Sequence, residues 1–358
     1  MSWFTELYVV SRKSGVGYRK SLELSEIMEL LEIKKLSKNY DDYIKPNLLY
    51  FVEDLNELAR ELNIDKIYPM GLYIRGIFGG EKKKEKEIYA GITIEEYYQD
   101  KVSFVFKLWN TKDMLIVPVD LLKKYDIKIF KMIYGGQINP FKLRRTYDVL
   151  LSSKGEQHLK LFLQEIIELN RSIVPRKETI ERIERLRNEV KQPGSIATLN
   201  AVKYYVVYRC DRAFTALAYK PMTDDVIAHS NVAYAECKYE ELAYYYAALL
   251  NYLAYKVIKS KRAFIRHQWA RPLLSIYIAG LAWKEVDEAT RNRIIELSRI
   301  LHERAPDKEY SNQRVALNDI AMKLPEFKEL VNLLGSKVNK ERLEDALNIM
   351  SGKGIEEE

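Results

Sequence analysis

Tyr204-Tyr205-Val206-Val207-Tyr208 and the run EELAYYYAALLNYLAYKVI at residues 240–258 decide the fold class. The first is a dense β-branched and aromatic run, the composition of a strand. The second is an apolar run of helical length. Two more short runs lie between them, Thr215-Ala216-Leu217-Ala218-Tyr219 and Val232-Ala233-Tyr234-Ala235, and both read as strands. Downstream the pattern is helical throughout: Pro272–Trp283, Glu288–His302, Arg314–Leu324, Pro325–Leu334 and Lys340–Ile349. The C-terminal part is therefore expected to be a small sheet followed by a helical bundle.

Upstream, Gln192-Pro193-Gly194-Ser195 is the clearest linker signal in the chain. Before it come two helices within 154–191. Leu159, Phe162, Leu163, Ile166, Ile167 and Leu169 line the first, and Ile180, Ile183, Leu186 and Val190 line the second. Pro175 can start the second helix but not continue the first. The pair reads as a helical hairpin or spacer, and as the natural docking surface for a protein partner. From Ile67 to Ile133, GLYIRGIFGG, KVSFVFKLW, DMLIVPVD and DIKIFKMIYGG read as short strands, with Glu81–Glu87 as a solvated hairpin tip. Residues 1–65 read as mainly helical, through runs opening at Ser21 and at Pro46. The expectation is an α+β protein: a mixed N-terminal α/β region over 1–150, a spacer over 151–192, and a C-terminal domain over 193–358.

A chain of 358 residues with 47% hydrophobic residues can bury more than one core. Its net charge of +7 favours polyanionic partners without demanding one. Abundant Lys, Glu and Tyr with scarce Gln resemble the composition of hyperthermophile proteins. Cys210 and Cys237 match no metal-binding or redox spacing, and a reducing compartment suits them. MSWFTELYVVSRKSG has none of the three regions of a signal peptide. Leu242–Ile258, with its tyrosines, Asn251 and Lys256, is too polar and too short for a membrane span. A cytoplasmic protein without a membrane partner is expected.

No GxxxxGK[ST], GxGxxG, HExxH or GxSxG pattern occurs, and His158, His229, His267 and His302 show no ligand spacing. No cofactor, metal or catalytic residue is therefore assigned, and the chain reads as a binding protein before an enzyme. The one nuclease-like pattern is Asp113 and Asp120 followed by Asp126-Ile127-Lys128. A metal-dependent nuclease core needs an acid on one strand and acid-x-Lys on the next, to hold the ion and position water.

Several motifs occur in order. They are Tyr205-Val206-Val207-Tyr208-Arg209, then His229-Ser230-Asn231-Val232-Ala233-Tyr234, then the Leu249-Leu250-Asn251 of the long helix, then the Arg- and aromatic-rich 262–273. In that order, Tyr204–Trp283 resembles the TaqI-like C-terminal specificity domain of N6-adenine DNA methyltransferases and combined restriction-modification enzymes. Tyr252 stands where that family usually has Ser. The resemblance implies DNA reading and not methylation, because Asn139-Pro140-Phe141 is one proline short of the family's methyl-transfer loop and no cofactor loop precedes it.

From the residues themselves, Lys259, Lys261, Arg262, Arg266, His267 and Arg271 cluster with Phe264 and Trp269, and Arg209 and Arg212 end the first strand of the same segment. Cations interleaved with aromatics suit phosphate contacts plus base stacking. The competing reading of Lys259–Arg262 is a solvated helix end, placed on the negative end of its dipole. The leading expectation is a non-catalytic nucleic-acid-binding protein, the DNA-recognition component of a restriction-modification or other defence system. The alternatives are a nuclease using the 113–128 acids and a structural, RNA-binding subunit of a CRISPR-type ribonucleoprotein.

Overall fold

The computed structural model describes residues 5–10, 17–22, 55–68, 92–108, 111–174, 176–189, 198–210, 213–264 and 270–351. Thr5–Val10 (β1) and Gly17–Leu22 (β2) pair antiparallel, from Thr5↔Leu22 to Val10↔Gly17. The helical expectation for residues 1–65 therefore fails at its start. Leu7, Tyr8, Val9 and Val10 are strand-favouring side chains, and Ser21-Leu22 ends a strand rather than opening a helix. The rest of that run lies outside the described residues, as do Glu81–Glu87 and Gln192–Ser195. The Pro46 run ends as expected, in the helix Leu55–Glu61 (α1). Asn63 closes α1 in the left-handed conformation with φ 58, which a short polar side chain tolerates. Lys66–Tyr68 (β3) follows.

Ile92–Gln99 (β4), Ser103–Leu108 (β5) and Met114–Pro118 (β6) form an antiparallel meander. The short helix Val119–Lys124 (α2) returns the chain to Ile127–Ile133 (β7). A small hairpin, Ile138–Asn139 (β8) with Lys142–Leu143 (β9), precedes Tyr147–Ser152 (β10). The expected hairpin of helices forms as Glu156–Asn170 (α3) and Lys177–Glu189 (α4). Five strands follow: Thr198–Leu199 (β11), Tyr204–Arg209 (β12), Ala216–Tyr219 (β13), Val226–Ala228 (β14) and Val232–Cys237 (β15). The last part is helical: Glu240–Lys259 (α5), Arg271–Ile278 (α6), Glu288–Arg304 (α7), Gln313–Lys323 (α8), Pro325–Lys337 (α9) and Lys340–Met350 (α10). The fold is α+β, as the sequence predicts.

A seven-stranded sheet runs β11-β14-β7-β10-β4-β5-β6, and a four-stranded sheet runs β13-β12-β15-β3. All pairings within them are antiparallel except β14 on β7. Strands β11 and β14, from the segment expected at 193–358, thus extend a sheet built from 1–150, and β3 extends the other sheet in return. Helices α3 and α4 do not act as a spacer. Their apolar faces close over β5 and β6, burying Phe162, Ile166 and Ile183 with Phe104, Phe106 and Val117. Strand β12 explains the unalternating Tyr-Val run: Val206 and Tyr208 face the helical core, and Tyr205 and Val207 face a second core with Ile133, Val226 and Tyr234. A strand covered on both sides has no polar face to show.

The same device finishes both sheets. Buried Asn170 on α3 donates to the carbonyl of Ile116 at 3.0 Å and accepts from its N–H at 2.9 Å, on edge strand β6. Buried Asn251 on α5 does this for Ala216 on edge strand β13, at 2.8 and 3.0 Å. Each amide also donates at 3.0 Å to the carbonyl four residues earlier in its own helix. One side chain thereby supplies hydrogen-bond partners to the strand backbone at each edge, and at β13 the Ala216 carbonyl also accepts from the Phe141 N–H at 2.9 Å.

Candidate nucleic-acid interface

The nuclease-like acids do not converge. Asp113 precedes β6 and Asp126 precedes β7, and β10, β4 and β5 lie between these strands. The two acids therefore do not sit on neighbouring strands. Asp113 is buried and accepts from the Thr179 hydroxyl at 2.5 Å, so it fastens the start of α4 to the sheet. Asp120 pairs in solvent with Lys123 at 3.1 Å. Asp126 ends α2 with φ 50, 3.9 Å from Lys128. Among the described residues, no three His, Cys, Asp or Glu side chains gather where they could hold a metal ion.

The basic residues separate into three kinds. Arg271, at 5% exposure, is a core residue in the first turn of α6 and leaves the expected contact face. Arg262 and Arg209 are partly buried and oriented. Arg262 donates to Asn348 at 3.0 Å and pairs with Glu344, both on α10, and burial pulls its pKa below the usual guanidinium value. Arg209 donates to Gln313 at 2.9 Å. Lys259 and Lys261 are exposed, with Lys259 lying 5.2 Å from the Tyr255 ring centroid. Arg212, Arg266, His267 and Trp269 lie outside the described residues.

Local geometry explains how Lys261 is presented. Helix α5 ends with the Lys261 N–H on Ile258 O at 3.1 Å and the Arg262 N–H on Val257 O at 3.2 Å. That paired closure needs a left-handed residue, usually glycine, and here Lys261 takes it with φ 56. A lysine held there accepts strain of about 1 kcal/mol, and its side chain is exposed.

The tertiary structure adds residues that the sequence pattern does not single out. Gln313, the first residue of α8, binds Arg209 and also donates to Ile138 O at 3.1 Å. Arg314 donates to Arg262 O at 3.2 Å and lies 5.6 Å from the Phe264 ring centroid. Phe264 in turn meets Phe214 edge-on at 5.8 Å. The end of β12, the turn after α5 and the start of α8, distant in sequence, therefore meet in one basic, aromatic surface. One signal for Arg314 was legible: it occupies the first turn of a helix with no acid in that turn. A cation at the positive end of a helix dipole works against helix stability, which marks it for another use.

The motif residues behind the family resemblance hold the fold. Leu249 and Leu250 are core, and Asn251 is the edge clamp. Asn231 accepts from the Gly135 N–H at 3.0 Å, where a Cβ on Gly135 would stand 2.9 Å from Asn231 O. Tyr245, Tyr246 and Tyr252 are fully buried, and burial pushes the Tyr252 hydroxyl up to about 12. Asn139-Pro140-Phe141 forms the β8–β9 turn, with Asn139 donating to Lys308 O at 2.9 Å and Phe141 buried at φ 63. Cys210 and Cys237 are both buried, free thiols. No helix among the described residues is long and apolar enough to cross a membrane. No known family, no curated protein and no solved structure matches the chain.

Proposed function

We propose that the chain is a non-catalytic nucleic-acid-binding protein whose contact face is the surface joining Arg209, Lys259, Lys261, Arg262, Phe264 and Arg314. The observation that carries this reading is the convergence of three sequence-distant basic segments at the start of α8, two of them linked by Gln313 and Arg314. Fixed guanidiniums with exposed lysines around them suit phosphate contact, and Phe264 beside Arg314 suits a base. The order of motifs along Tyr204–Trp283 favours DNA as the polymer, with the chain as the recognition component of a restriction-modification or other defence system. A partner then supplies the chemistry. Leu161, Leu169 and Ile173 remain exposed on and just after α3 for that partner, the rest of the hairpin's apolar face being spent on the sheet.

The test is a salt titration of binding to duplex DNA, single-stranded DNA and RNA. On duplex DNA, log affinity falls against log salt with a slope near 0.9 per neutralised phosphate. Replacing Lys259, Lys261 and Arg314 together with Ala is expected to flatten that slope by roughly two to three units and to weaken all sequences alike. Preference for RNA points to the ribonucleoprotein reading. An unchanged slope and affinity in the triple variant removes this surface as the interface.

A further inference from the structure

Helix α8 starts inside the basic surface, since its Arg314 binds Arg262 O and lies against Phe264. Three later residues of the helix share the solvent side with Arg314. At about 100° per residue, Arg314, Asn318, Met322 and Val315 fall within an arc of about 100°, and Ala316, Leu317 and Ile320 on the far side are buried. Val315 is 46% and Met322 68% exposed, and the half-buried Asn318 has no hydrogen-bond partner among the described residues. The one carboxylate of the helix is held off this arc. Asp319 is buried and engages the Tyr310 hydroxyl at 2.8 Å, Lys308 at 3.0 Å and Lys323 at 2.7 Å.

The neighbouring helices show an ordinary solvent face of this chain. On α7, Arg293 pairs with Glu296 and with Glu329 of α9, and Arg299 pairs with Glu240 and Glu241 of α5. Those faces are laced with opposite charges. The α8 arc instead offers one cation, one amide and two apolar side chains, and it continues from the turn that carries Lys261 and Arg262.

We propose that α8 is the reading helix of the interface and lies in the major groove of duplex DNA, with Val315, Asn318 and Met322 against base edges. This rests on the nucleic-acid reading above and names the element that gives it sequence preference. Phosphate contacts fix position on a duplex but carry no sequence information, so a reader needs a second set of groups beside its cations. The major groove, about 12 Å wide, admits one α-helix. The 11 residues of α8 span about 16 Å, the rise of four to five base pairs. An asparagine amide pairs with adenine through two hydrogen bonds, and apolar side chains contact the thymine methyl. With Asp319 buried and paired, the arc brings no carboxylate towards the phosphates that flank a groove.

The probe is a pool of duplexes with randomised central base pairs, selected by binding to the full chain. The selected duplex is expected to bind at least tenfold tighter than a scrambled duplex of the same composition. V315A/N318A/M322A is expected to lose most of that preference, roughly tenfold of it through Asn318, while keeping the parent's salt slope and its affinity for the scrambled duplex. K259A/K261A is expected to do the reverse, weakening both duplexes alike and leaving their ratio unchanged. Selection repeated with N318A should relax the preference at one base pair. Thermal unfolding checks that each variant is folded. Salt-dependent duplex binding without preference, or a preference that N318A and the triple variant keep, overturns the reading helix and leaves the basic surface standing. Tighter binding of duplex RNA, whose deep and narrow major groove side chains cannot read, also overturns it. A parent dimer that V315A/M322A dissolves gives the arc to a second copy of the chain and overturns it too. A parent that binds no duplex at low salt overturns both readings together.

Discussion

At the scale of single residues, His302 shows how much residue type leaves unsaid. His302 reads in sequence as an unremarkable surface or core residue. In the fold its Nε2 accepts from the Ala218 N–H at 2.8 Å, its Nδ1–H meets Ser298 O at 2.7 Å, and Phe141 and Tyr244 pack on its ring. Burial lowers its pKa to about 4. The unfolded chain protonates this group near 6.5, so between about 4 and 6.5 the unfolded state holds more protons than the folded one. Its stabilising effect is complete above the unfolded value and is lost as pH falls through that window. The loss amounts to at most about 3 kcal/mol. Denaturant midpoints from pH 7 to pH 4 should show it, and His302→Gln should flatten this part of the profile while lowering stability at pH 7. A variant with the parent's full pH dependence would show that another group is responsible. The basic residues teach the same lesson, since Arg271 and Lys261 both read in sequence only as cations of one cluster. One fills the core and the other stands at a strained helix end in water.

Between residues and the whole lie the elements, and the C-terminal helices were legible nearly to their ends because their caps are local, except that α6 stops at Ile278 before Gly280 in the left-handed conformation, short of the expected Trp283. Asp287, Asn312 and Asn339 each accept a backbone N–H of their own first turn, and Pro272 and Pro325 sit in the first turns of α6 and α9. Strands β4 and β10 and helix α2 escaped the sequence reading. In β4, five consecutive positions from Glu95 to Gln99 are exposed, so its sequence lacks the alternation of a half-buried strand. The edge clamps were equally hidden, since an Asn inside a helix announces no partner. Asn251→Leu should leave the N–H of Ala216 buried without a partner, its carbonyl keeping the Phe141 N–H, and cost about 2–3 kcal/mol in equilibrium unfolding. Asn170→Leu should cost less, about 1–2 kcal/mol, because Ile116 is 44% exposed and water can reach that edge. If Asn251→Leu unfolds at the parent's denaturant midpoint, the clamp contributes nothing.

For the whole molecule, strand exchange between the two ends of the chain is the feature with the widest consequence. The parallel pairing of β14 on β7, from Val226↔Lys131 to Ala228↔Ile133, and the antiparallel pairing of β3 on β15 bind segments expected from the sequence to be separate domains. Limited proteolysis within 192–195 should therefore yield two fragments that co-elute under native conditions and separate only in denaturant. Fragments that part without denaturant would establish independent units. Composition, periodicity and capping determined the α+β class, the helical hairpin, the strand β12 and the run of helices after it, because these depend on neighbours within a few residues in the chain. They also marked Lys259, Lys261, Arg262 and Arg209 as cations worth following. Which of the cations share a surface, which enter the core, and that Asp113 and Asp126 are kept apart by three strands were decided by the order of strands in the sheets. That order comes from long-range burial of strand faces, to which no local signal in the chain corresponds.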